Sequence, residues 1–383
     1  MSLPPRRQSN NGVVRFLFLA SWTGGGHFAA ARAVAATLEE LEPAACCTIV
    51  DVLRDYCPFP FSRFPDAYSS LATRYACLWH WLWRQTDHPV LADALTSLAW
   101  PLLARRLRAM LHQHQPNALI SVHPLLVRPA IRLASQGLCL PVACIATDMV
   151  CLHAFWLATG ADLYFVPTDE AAASARLRGI PAERLVISGQ PISSAYRSLP
   201  SQHMAKAALG LRPDLPLVLL AAGGAGMGPL EQCAIALEQS RSPLQLAVIC
   251  GHNQNLRLRL RNRAWNVPTK VLGFVDNMPY WLRAADVLVT KAGPGTLAEA
   301  MAEGLPIVIM DALPGQETDN VHFLCDRQAA IWAPQPQQLA ITVADLLAHP
   351  DKAKALADHA SQCAKPEAAH MIAERLLNLV HRE

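Results

Sequence analysis

The chain has 383 residues, more than one ordinary hydrophobic core accommodates and enough for two domains of roughly 150–200 residues each. Although 52% of its residues are hydrophobic and only 16% are charged, no run approaches the ~18–20 uncharged residues of a transmembrane helix. A net charge of +3, with no known nucleic-acid-binding motif, argues against a nucleic-acid-binding protein.

The N-terminal residues and the cysteines bear on the cellular compartment. Residues 4–11 are polar and lead directly into an apolar run, so they lack the apolar region of a signal peptide. The eleven cysteines are irregularly spaced without a CxxC pair, and the adjacent Cys46 and Cys47 fit neither a disulfide framework nor a zinc site. We therefore expect mostly buried thiols in a reducing cytoplasm and no bound metal.

Predicted strands and helices alternate along the chain. An apolar strand over residues 13–20 leads into a Gly-rich turn and an Ala-rich helix over residues 28–41. Further strands of the first half are predicted at residues 47–52, 118–122, 142–147, 163–166 and 185–187. The second half repeats the pattern, with strands at residues 217–222, 246–250, 270–272, 287–289 and 306–310. Continuous apolar strands between helices indicate parallel sheets covered on both faces.

We therefore predict an α/β protein of two doubly wound, Rossmann-like domains that face each other across a cleft, with ligands at the carboxyl ends of the strands. The polar connector places the boundary near residue 200, which gives domains at residues 1–200 and 201–383. Each domain has one Gly-rich turn between a strand and a helix. Neither turn has the dinucleotide fingerprint GxGxxG, which argues against a hydride-transferring enzyme.

Residues 56–111 combine many aromatic side chains with interleaved arginines, among them Trp79, Trp81, Trp83 and Arg84. Aromatic rings at headgroup depth and arginines that meet anionic lipid are typical of a helix lying in a membrane interface. An amphipathic helical pair packed on the sheet, with its tryptophans in the core, explains the same composition. The residues alone leave both interpretations open.

The first strand ends in the turn Gly24-Gly25-Gly26-His27. Its glycines permit positive φ angles and the close approach of a substrate, and they leave His27 at the start of a helix. The positive end of the helix dipole lowers the pKa of a histidine there, so a neutral imidazole is available as a general base. A purely structural histidine is the alternative.

Residues 289–320 predict a strand, a Gly-rich turn, a helix beginning at Thr296, a second strand and a polar loop. A Gly-rich turn before a helix directs free N–H groups and the positive end of a dipole at one point, which suits a phosphate. Glu299, one turn into that helix, is placed to accept hydrogen bonds from ribose hydroxyls. Possible partners for a sugar follow in the loop: Gln316, Glu317 and Asn320. This succession suggests a nucleotide sugar as the ligand.

Other residues would serve the same ligand. A nest of backbone N–H groups for the pyrophosphate is predicted at the turn 223–228, which contains Gly223, Gly224 and Gly226. The phosphate turn before the later helix contains Gly293 and Gly295. Lys291 precedes that turn and is either a partner for phosphate charge or an ordinary surface lysine.

In their order and spacing, these motifs resemble those of the monogalactosyldiacylglycerol synthase family of inverting GT-B glycosyltransferases. The resembling segments, which span about residues 15–325, are residues 23–27, 147–153 with Trp156, 223–228, 273–278 and 289–320. Bacterial diacylglycerol glucosyltransferases and the enzyme that adds N-acetylglucosamine to peptidoglycan lipid I are similar to this family. The resemblance implies inverting transfer of galactose from UDP-galactose to 1,2-diacylglycerol.

The resemblance also implies roles for residues on the acceptor side. His27 is implied as the base, while Asp148 either caps the segment after its strand or faces the ligand, where it would orient His27 or hold the acceptor hydroxyl. The other residues implied there are Gly25, Gly26, His153 as a second candidate base, and Trp156 lining a lipid channel. For residues 56–111 the resemblance favours membrane contact, as a peripheral protein at the cytoplasmic face on an anionic lipid surface.

On the donor side, the backbone of Phe274 is implied to read uracil, and Met278 to cap the site. Ala225 stands where plant members carry a carboxylate, which puts a side-chain contact there in doubt. Because the sequence has no Asp-x-Asp motif, we expect Lys291, backbone donors and a helix dipole to stabilise the departing UDP, with no metal and no other cofactor. The last helix is expected to cross back to the N-terminal domain.

Alternatives remain for the function. Galactose and glucose differ only at C4, so a UDP-glucose-dependent transferase, or one with another lipid acceptor, fits the same motifs. A sugar-nucleotide epimerase or a non-catalytic nucleotide-sugar binder is the alternative from a different class. An epimerase has no need for the aromatic and basic segment, and a binder should tolerate the loss of His27. The expected partners are UDP-galactose or UDP-glucose, diacylglycerol and anionic membrane lipid, and no nucleic acid.

Overall fold

The computed structural model describes residues 13–23, 25–136 and 140–381, so Gly24 and residues 4–11 lie outside the described part of the chain. Internal contacts divide the protein into two compact units. The N-terminal unit comprises the residues up to Ser193 together with those from Glu367 onward, and the C-terminal unit comprises Ser194–Pro366. The division therefore falls slightly before the expected residue 200, and the C-terminal unit ends at Pro366 instead of continuing to residue 383.

The N-terminal unit is built on a six-stranded parallel sheet with the strand order β2-β1-β3-β4-β5-β6. Its strands are β1 (Val14–Ala20), β2 (Ala45–Asp51), β3 (Ala118–Ser121), β4 (Val142–Ile145), β5 (Leu163–Val166) and β6 (Leu185–Ile187). Its helices are α1 (Gly26–Leu41), α2 (Phe64–Arg74), α3 (Ala76–Thr86), α4 (Pro89–His114), α5 (Pro124–Ala134), α6 (Asp169–Leu177) and, from the end of the chain, α15 (Ala368–His381).

Side chains of β1 alternate between two hydrophobic cores, as the period of two along a strand requires. Phe16 and Phe18 belong to the core that contains residues of α1 and α15. Leu17 and Leu19 belong to the core on the other face, with residues of α4 and α5. Helix α15 is part of the first core through its buried face, which includes Ile372. Covering the sheet on both faces explains why its strands are largely apolar.

The C-terminal unit has a second six-stranded parallel sheet, with the strand order β12-β11-β10-β7-β8-β9. Its strands are β7 (Leu217–Ala221), β8 (Gln245–Ile249), β9 (Thr269–Leu272), β10 (Val287–Lys291), β11 (Ile307–Asp311) and β12 (Ile331–Trp332). Its helices are α7 (Gln202–Ala208), α8 (Leu230–Gln239), α9 (Gln254–Arg261), α10 (Met278–Ala284), α11 (Pro294–Ala302), α12 (Thr318–Asp326), α13 (Pro336–Ala348) and α14 (Pro350–Cys363).

Both sheets reverse their strand order next to their first strand. In the N-terminal unit the reversal lies between β1 and β3, and in the C-terminal unit it lies between β7 and β10. In open parallel sheets, ligands bind at the carboxyl ends of the strands at this reversal. The segments that follow β1, β3 and β7 contain His27, His123 and Gly223, and Lys291 is the last residue of β10. The predicted doubly wound α/β fold is confirmed, and its topology places the sequence motifs where such folds bind ligands.

The aromatic and basic segment forms α2, α3 and α4. Trp79 is only 9% exposed, with its ring edge-on to that of Tyr68 at 5.2 Å between centroids, so its predicted insertion into a membrane is wrong. Trp81, on the same helix, is 57% exposed. Within the described part of the chain, no helix is both long enough and apolar enough to span a bilayer.

Candidate active site

The candidate base of the N-terminal unit lies in the first turn of α1. Gly25, just before the helix, has a φ of 89°, a left-handed conformation that glycine adopts without strain. His27 follows in the first turn, and its Nδ1 lies 3.0 Å from Oγ1 of Thr147, just beyond β4. A Cβ atom added at Gly26 would meet no other atom within 4 Å, so there is open space beside the turn. A substrate can therefore approach the backbone here.

The surroundings of His27 keep its ring neutral. Although the residue is partly exposed, burial of the ring lowers its pKa to about 4, and a backbone hydrogen bond with Val122 raises it without offsetting the burial. The predicted lowering is therefore confirmed in direction, but its main cause is desolvation and not the helix dipole. At neutral pH the imidazole carries a lone pair, as a general base requires.

A second histidine that the sequence reasoning missed lies beside this base. The ring of His123 is edge-on to that of His27, with 4.6 Å between centroids. Its Nδ1 accepts a hydrogen bond from the backbone N–H of Leu125 at the start of α5, so its proton is on Nε2, which donates to Oγ1 of Thr23 at 3.0 Å. Burial and the nearby His27 lower the pKa of His123. Its position directly after an apolar strand was the available signal.

Asp148 is buried, and its Oδ2 accepts a hydrogen bond from the indole Nε1 of Trp156 at 2.7 Å. The side chain that contacts Nδ1 of His27 is that of Thr147, so Thr147 lies where one of our alternatives had placed Asp148 to orient the ring. Trp156 is 0% exposed and belongs to the hydrophobic core of the N-terminal unit. Its predicted place as the lining of a lipid channel is therefore wrong, because a fully covered ring lines no open surface.

His153 acts as a structural link in this structure. Its Nε2 donates to the carbonyl of Trp83 at 3.0 Å, and its Nδ1 accepts from the backbone N–H of Phe155 at 3.3 Å. The ring also packs against that of half-buried Trp83, with 4.3 Å between centroids. Both ring nitrogens of His153 are engaged, but the ring of His27 also has two partners, Thr147 and the backbone of Val122, so the choice between the two candidate bases stays a prediction. Trp83 is held in the protein like Trp79.

Ion pairs fix the loop that carries His153. Asp87 accepts from the backbone N–H of Ala154 at 2.7 Å and pairs with Arg178 at 2.6 Å. Arg128, nearly buried, donates to the carbonyl of Ala154 at 2.8 Å and to Asp93 at 2.5 Å. Burial alone would raise the pKa of Asp87, but the hydrogen bonds from Arg178 and Ala154 bring it below its usual value. The turn between α3 and α4 is thereby tied to the segment after β4.

In the C-terminal unit, the turn after β7 packs against the turn after β8. The carbonyl of Gly224 accepts from the backbone N–H of His252 at 2.8 Å, and that of Gly226 from the side chain of Asn253 at 3.2 Å. A Cβ atom at Gly226 would lie 2.0 Å from the carbonyl oxygen of Cys250, which no real structure tolerates. These glycines are therefore required by the contact between two loops, while a pyrophosphate nest at Gly223 and Gly224 stays a prediction.

The predicted phosphate site is the N-terminus of α11. Gly293 is the N-cap, and no side chain caps the helix. Pro294 has no N–H, and the first helical hydrogen bond runs from Leu297 to the carbonyl of Gly293, which leaves the N–H groups of Gly295 and Thr296 outside the helix ladder. A Cβ atom at Gly295 would meet no other atom within 4 Å. The turn therefore has both the donors and the space that an anion needs.

A buried ion pair lies beside this turn. The ammonium of Lys291 donates to Oε1 of Glu317, while Oε2 of Glu317 accepts from the backbone N–H of Leu313 at 3.0 Å. Lys291 is not a surface lysine, since it is only 8% exposed. Asp311, at the end of β11, was missed by the sequence reasoning; burial raises its pKa, with lesser effects from the charges of Glu317 and Lys291. The pair fixes the ammonium of Lys291 at the carboxyl edge of the sheet, with its charge balanced by Glu317.

The other residues predicted to bind the sugar nucleotide differ in burial and in hydrogen-bond partners. Asn320 is buried, and its amide nitrogen donates to the carbonyl of Ala292 at 2.9 Å, so it supports the turn and does not offer that nitrogen to a ligand. Burial raises the pKa of Glu299 to about 7, and the hydroxyl of neighbouring Tyr196 lowers it. Gln316 is half-buried in the loop before α12.

Phe274 and Met278, the predicted uracil residues, lie between β9 and the start of α10. Phe274 is exposed, and its ring stacks on that of His252, with 4.5 Å between centroids and 10° between planes. The stack joins the turn after β8 to the turn after β9, and Met278 is half-buried. Among the described residues, no three His, Cys, Asp or Glu side chains are close enough to hold a metal ion, and the expectation of a metal-free enzyme stays a prediction.

Comparison with known proteins shows which family this chain belongs to. A model of the family described as monogalactosyldiacylglycerol (MGDG) synthase matches residues 27–192, and one described as the glycosyltransferase family 28 C-terminal domain matches residues 228–375. The probable monogalactosyldiacylglycerol synthase 2, chloroplastic, of Oryza sativa subsp. indica is 35% identical over 377 residues, which are 95% of this chain and 80% of that protein. Monogalactosyldiacylglycerol synthase 1, chloroplastic, of Arabidopsis thaliana is 31% identical over 382 residues, which are 96% of this chain and 72% of that protein.

Solved structures agree with the fold. MurG of Acinetobacter baumannii superposes with a TM-score of 0.61 at 18% identity, over 95% of this chain and 99% of that one. MnaA of S. aureus with UDP gives a TM-score of 0.62 at 13% identity, over 97% and 99%. These likenesses show the two-domain GT-B fold alone. Together with the sequence identity over nearly the whole length, they lead to one conclusion: the chain belongs to the monogalactosyldiacylglycerol synthase family and has the GT-B fold.

Proposed function

We propose that this protein transfers galactose from UDP-galactose to the free hydroxyl of 1,2-diacylglycerol and inverts the anomeric centre, which yields a β-galactolipid. The observation that carries the proposal is identity of 31–35% to proteins named monogalactosyldiacylglycerol synthases over 95–96% of the chain. That length includes every motif from the first glycine turn to the polar loop before α12.

In the proposed reaction, the hydroxyl oxygen of diacylglycerol attacks the anomeric carbon of the sugar from the face opposite UDP. Its proton passes to the neutral imidazole of His27, and the bond between the anomeric carbon and the β-phosphate oxygen breaks with its electron pair on UDP. A neutral ring supports this role for His27, since burial lowers its pKa to about 4. The leaving phosphate gains negative charge, which suits the uncapped N-terminus of α11 and the buried Lys291.

Access to diacylglycerol requires contact with a bilayer, and the exposed side of α3 and α4 supports peripheral docking there. Leu91, Leu95, Leu98 and Leu102 are all exposed and recur every three or four residues, so they form one stripe along α4. Trp81 adds an exposed ring on α3. Exposed basic side chains belong to the same two helices: Arg84, Arg105, Arg106 and Arg108. The described cysteines, all free, favour the cytoplasmic face.

The decisive experiment offers the purified protein labelled UDP-galactose or UDP-glucose with vesicles of diacylglycerol and phosphatidylglycerol. We expect galactolipid with the β-anomeric configuration, identified by NMR, and much slower use of UDP-glucose. An α-linked product, faster glucosyl transfer or turnover of soluble acceptors alone would contradict the proposal. The His27→Ala variant should lose about 10²–10⁴ in kcat. His370→Ala, on α15 of the same unit, is the matched control and should keep its activity.

A further inference from the structure

Asp311, the last residue of β11, lies between the two glycine-containing turns of the C-terminal unit. Its carbonyl accepts from the backbone N–H of Ala292 at 2.8 Å, directly before Gly293, the N-cap of α11. Its Oδ2 lies 3.1 Å from the place that a Cβ atom would take on Gly228, at the end of the turn after β7. Both turns are predicted to hold the diphosphate, so the carboxyl group of Asp311 lies beside that predicted site.

The charges at this place do not balance when Asp311 is ionised. The ammonium of Lys291 is paired with Glu317, so its charge is already compensated. A Cβ atom on Gly293 would lie 3.0 Å from Nζ of Lys291, which puts the pair against the phosphate turn. Within the described part of the chain, no cationic side chain forms an ion pair with Asp311. An ionised Asp311 therefore leaves a net negative charge beside a ligand that is itself negative.

We infer that Asp311 takes up a proton when UDP-galactose binds and is neutral in the complex. Both phosphates of a nucleotide sugar are ionised at neutral pH, and a like charge nearby disfavours an ionised carboxyl group. Protonation removes this repulsion and gives the carboxyl group an O–H donor. The inference rests on the proposed function, because it presumes that the diphosphate of the donor lies at these two turns.

The surroundings of the carboxyl group favour protonation. Burial raises the pKa of Asp311 and the charge of Glu317 adds to the rise, while the N–H of Ala312 and the charge of Lys291 oppose it. The thiol of Cys233 on α8 is a further titratable neighbour, but burial raises its pKa to about 12, so it stays neutral. Oδ1 accepts from the N–H of Ala312 at 2.9 Å, and among the described residues no donor bonds to Oδ2. Oδ2 can therefore take a proton without losing a hydrogen bond.

Calorimetric titration with UDP-galactose, without acceptor and in two buffers of different ionisation enthalpy, counts the protons taken up on binding. The decisive quantity is the difference between the wild type and Asp311→Asn, because other groups, such as Glu299 with a pKa of about 7, titrate in both proteins. The matched control is Asp214→Asn, which removes the same charge at the opposite, amino edge of the sheet, where Asp214 is exposed and paired with Arg212.

We expect the wild type to take up more protons than Asp311→Asn, by at most about one per ligand bound. Because the proton is needed for binding, the affinity of the wild type for UDP-galactose should fall as the pH rises. A neighbouring charge shifts a pKa by about 1–3 units, so the fall between about pH 5 and pH 9 should be at least tenfold. Over the same range, the affinity of Asp311→Asn should change about threefold or less and should exceed that of the wild type at the alkaline end. Asp214→Asn should follow the wild type.

Three results would overturn the inference: equal proton uptake in the wild type and Asp311→Asn, an equal change of uptake in Asp214→Asn, or weaker binding by Asp311→Asn at every pH. Urea unfolding identifies a variant that does not fold. In that case Asp311→Ser decides, since it also removes the charge and keeps an oxygen close to the N–H of Ala312. Galactolipid formation without the extra proton uptake refutes this inference alone, whereas proton uptake without galactolipid refutes the proposed transfer alone.

Discussion

Two tryptophans of one helix should respond in opposite ways to the same substitution. Trp79 and Trp81 both lie on α3, yet Trp79 is 9% exposed and packs edge-on against Tyr68, whereas Trp81 is 57% exposed. If α3 docks on a membrane, Trp81→Ser should weaken vesicle binding and leave the fold intact. Trp79→Ser should destabilise the N-terminal unit instead.

The magnitudes follow from these exposures. A tryptophan buries on the order of 250 Å², so the 57% of Trp81 that is exposed corresponds to about 140 Å². At about 25 cal/mol per Å² this is at most about 3.5 kcal/mol, and in the partly polar headgroup region about 2 kcal/mol, roughly a 30-fold loss of vesicle affinity. Removing the packed ring of Trp79 should cost about 3–5 kcal/mol of the ~5–15 kcal/mol that stabilises a typical domain.

Co-sedimentation with phosphatidylglycerol vesicles measures the first effect, and urea unfolding followed by circular dichroism measures the second. Vesicle binding should also weaken with salt, because exposed arginines such as Arg84 contribute about 1 kcal/mol each near an anionic surface. Two results would refute the reasoning. If Trp81→Ser lowers the urea midpoint as much as Trp79→Ser, Trp81 is a core residue; if Trp81→Ser binds vesicles like the wild type, α3 is not the docking element.

Three further predictions concern the chemistry. Since burial lowers the pKa of His27 to about 4, the neutral base should persist as pH falls and kcat/KM should decline only toward pH 4; a limb near the usual pKa of 6.5 in the vesicle assay would contradict this. Lys291→Ala should raise the KM for the UDP-sugar at least tenfold. It should also cost about 3–5 kcal/mol of folding stability, because it leaves buried Glu317 unpaired. Calorimetric titration with UDP measures the first effect, and urea unfolding measures the second. EDTA should leave the rate of galactolipid formation nearly unchanged, since Lys291 and the dipole of α11 already provide positive charge, and a loss restored by Mg²⁺ or Mn²⁺ would refute that mechanism.

The strands could be predicted from the sequence because their signal is local. Most strands contain a short apolar run, which is the pattern typical of a buried parallel strand. The predicted strand bounds differ from the observed ones at the ends of some strands. β10 continues to Lys291, two residues beyond the expected strand, through an irregularity in its pairing with β11. The two-residue edge strand β12 was missed, since Ile331 and Trp332 are too short a run to show any period.

Side-chain partners were much harder to predict, because they depend on contacts that are distant in sequence. The sequence places Asp148 beyond the end of a strand, but only the fold shows that the indole of Trp156 occupies its Oδ2. Likewise, the sequence suggests His153 as a candidate base, but only the fold shows that the carbonyl of Trp83, in α3, lies at its Nε2. By contrast, His123 could have been found, since it follows an apolar strand just as polar ligand-binding residues do in this fold class.

The glycine-rich turns show why a motif does not fix its own function. In the N-terminal unit, a Cβ atom at Gly26 would enter open space, so glycine there leaves room beside the base. In the C-terminal unit, Cβ atoms at Gly226 and Gly251 would lie 2.0 Å and 2.3 Å from backbone carbonyl oxygens, so glycine there lets two turns close on each other. Replacing Gly26 by alanine should therefore affect substrate access with little loss of stability, whereas Gly226→Ala should separate the turns after β7 and β8 before any ligand is involved. Similar glycine patterns follow strands at the reversal of both sheets, but the space around each glycine decides whether it serves the substrate or the fold.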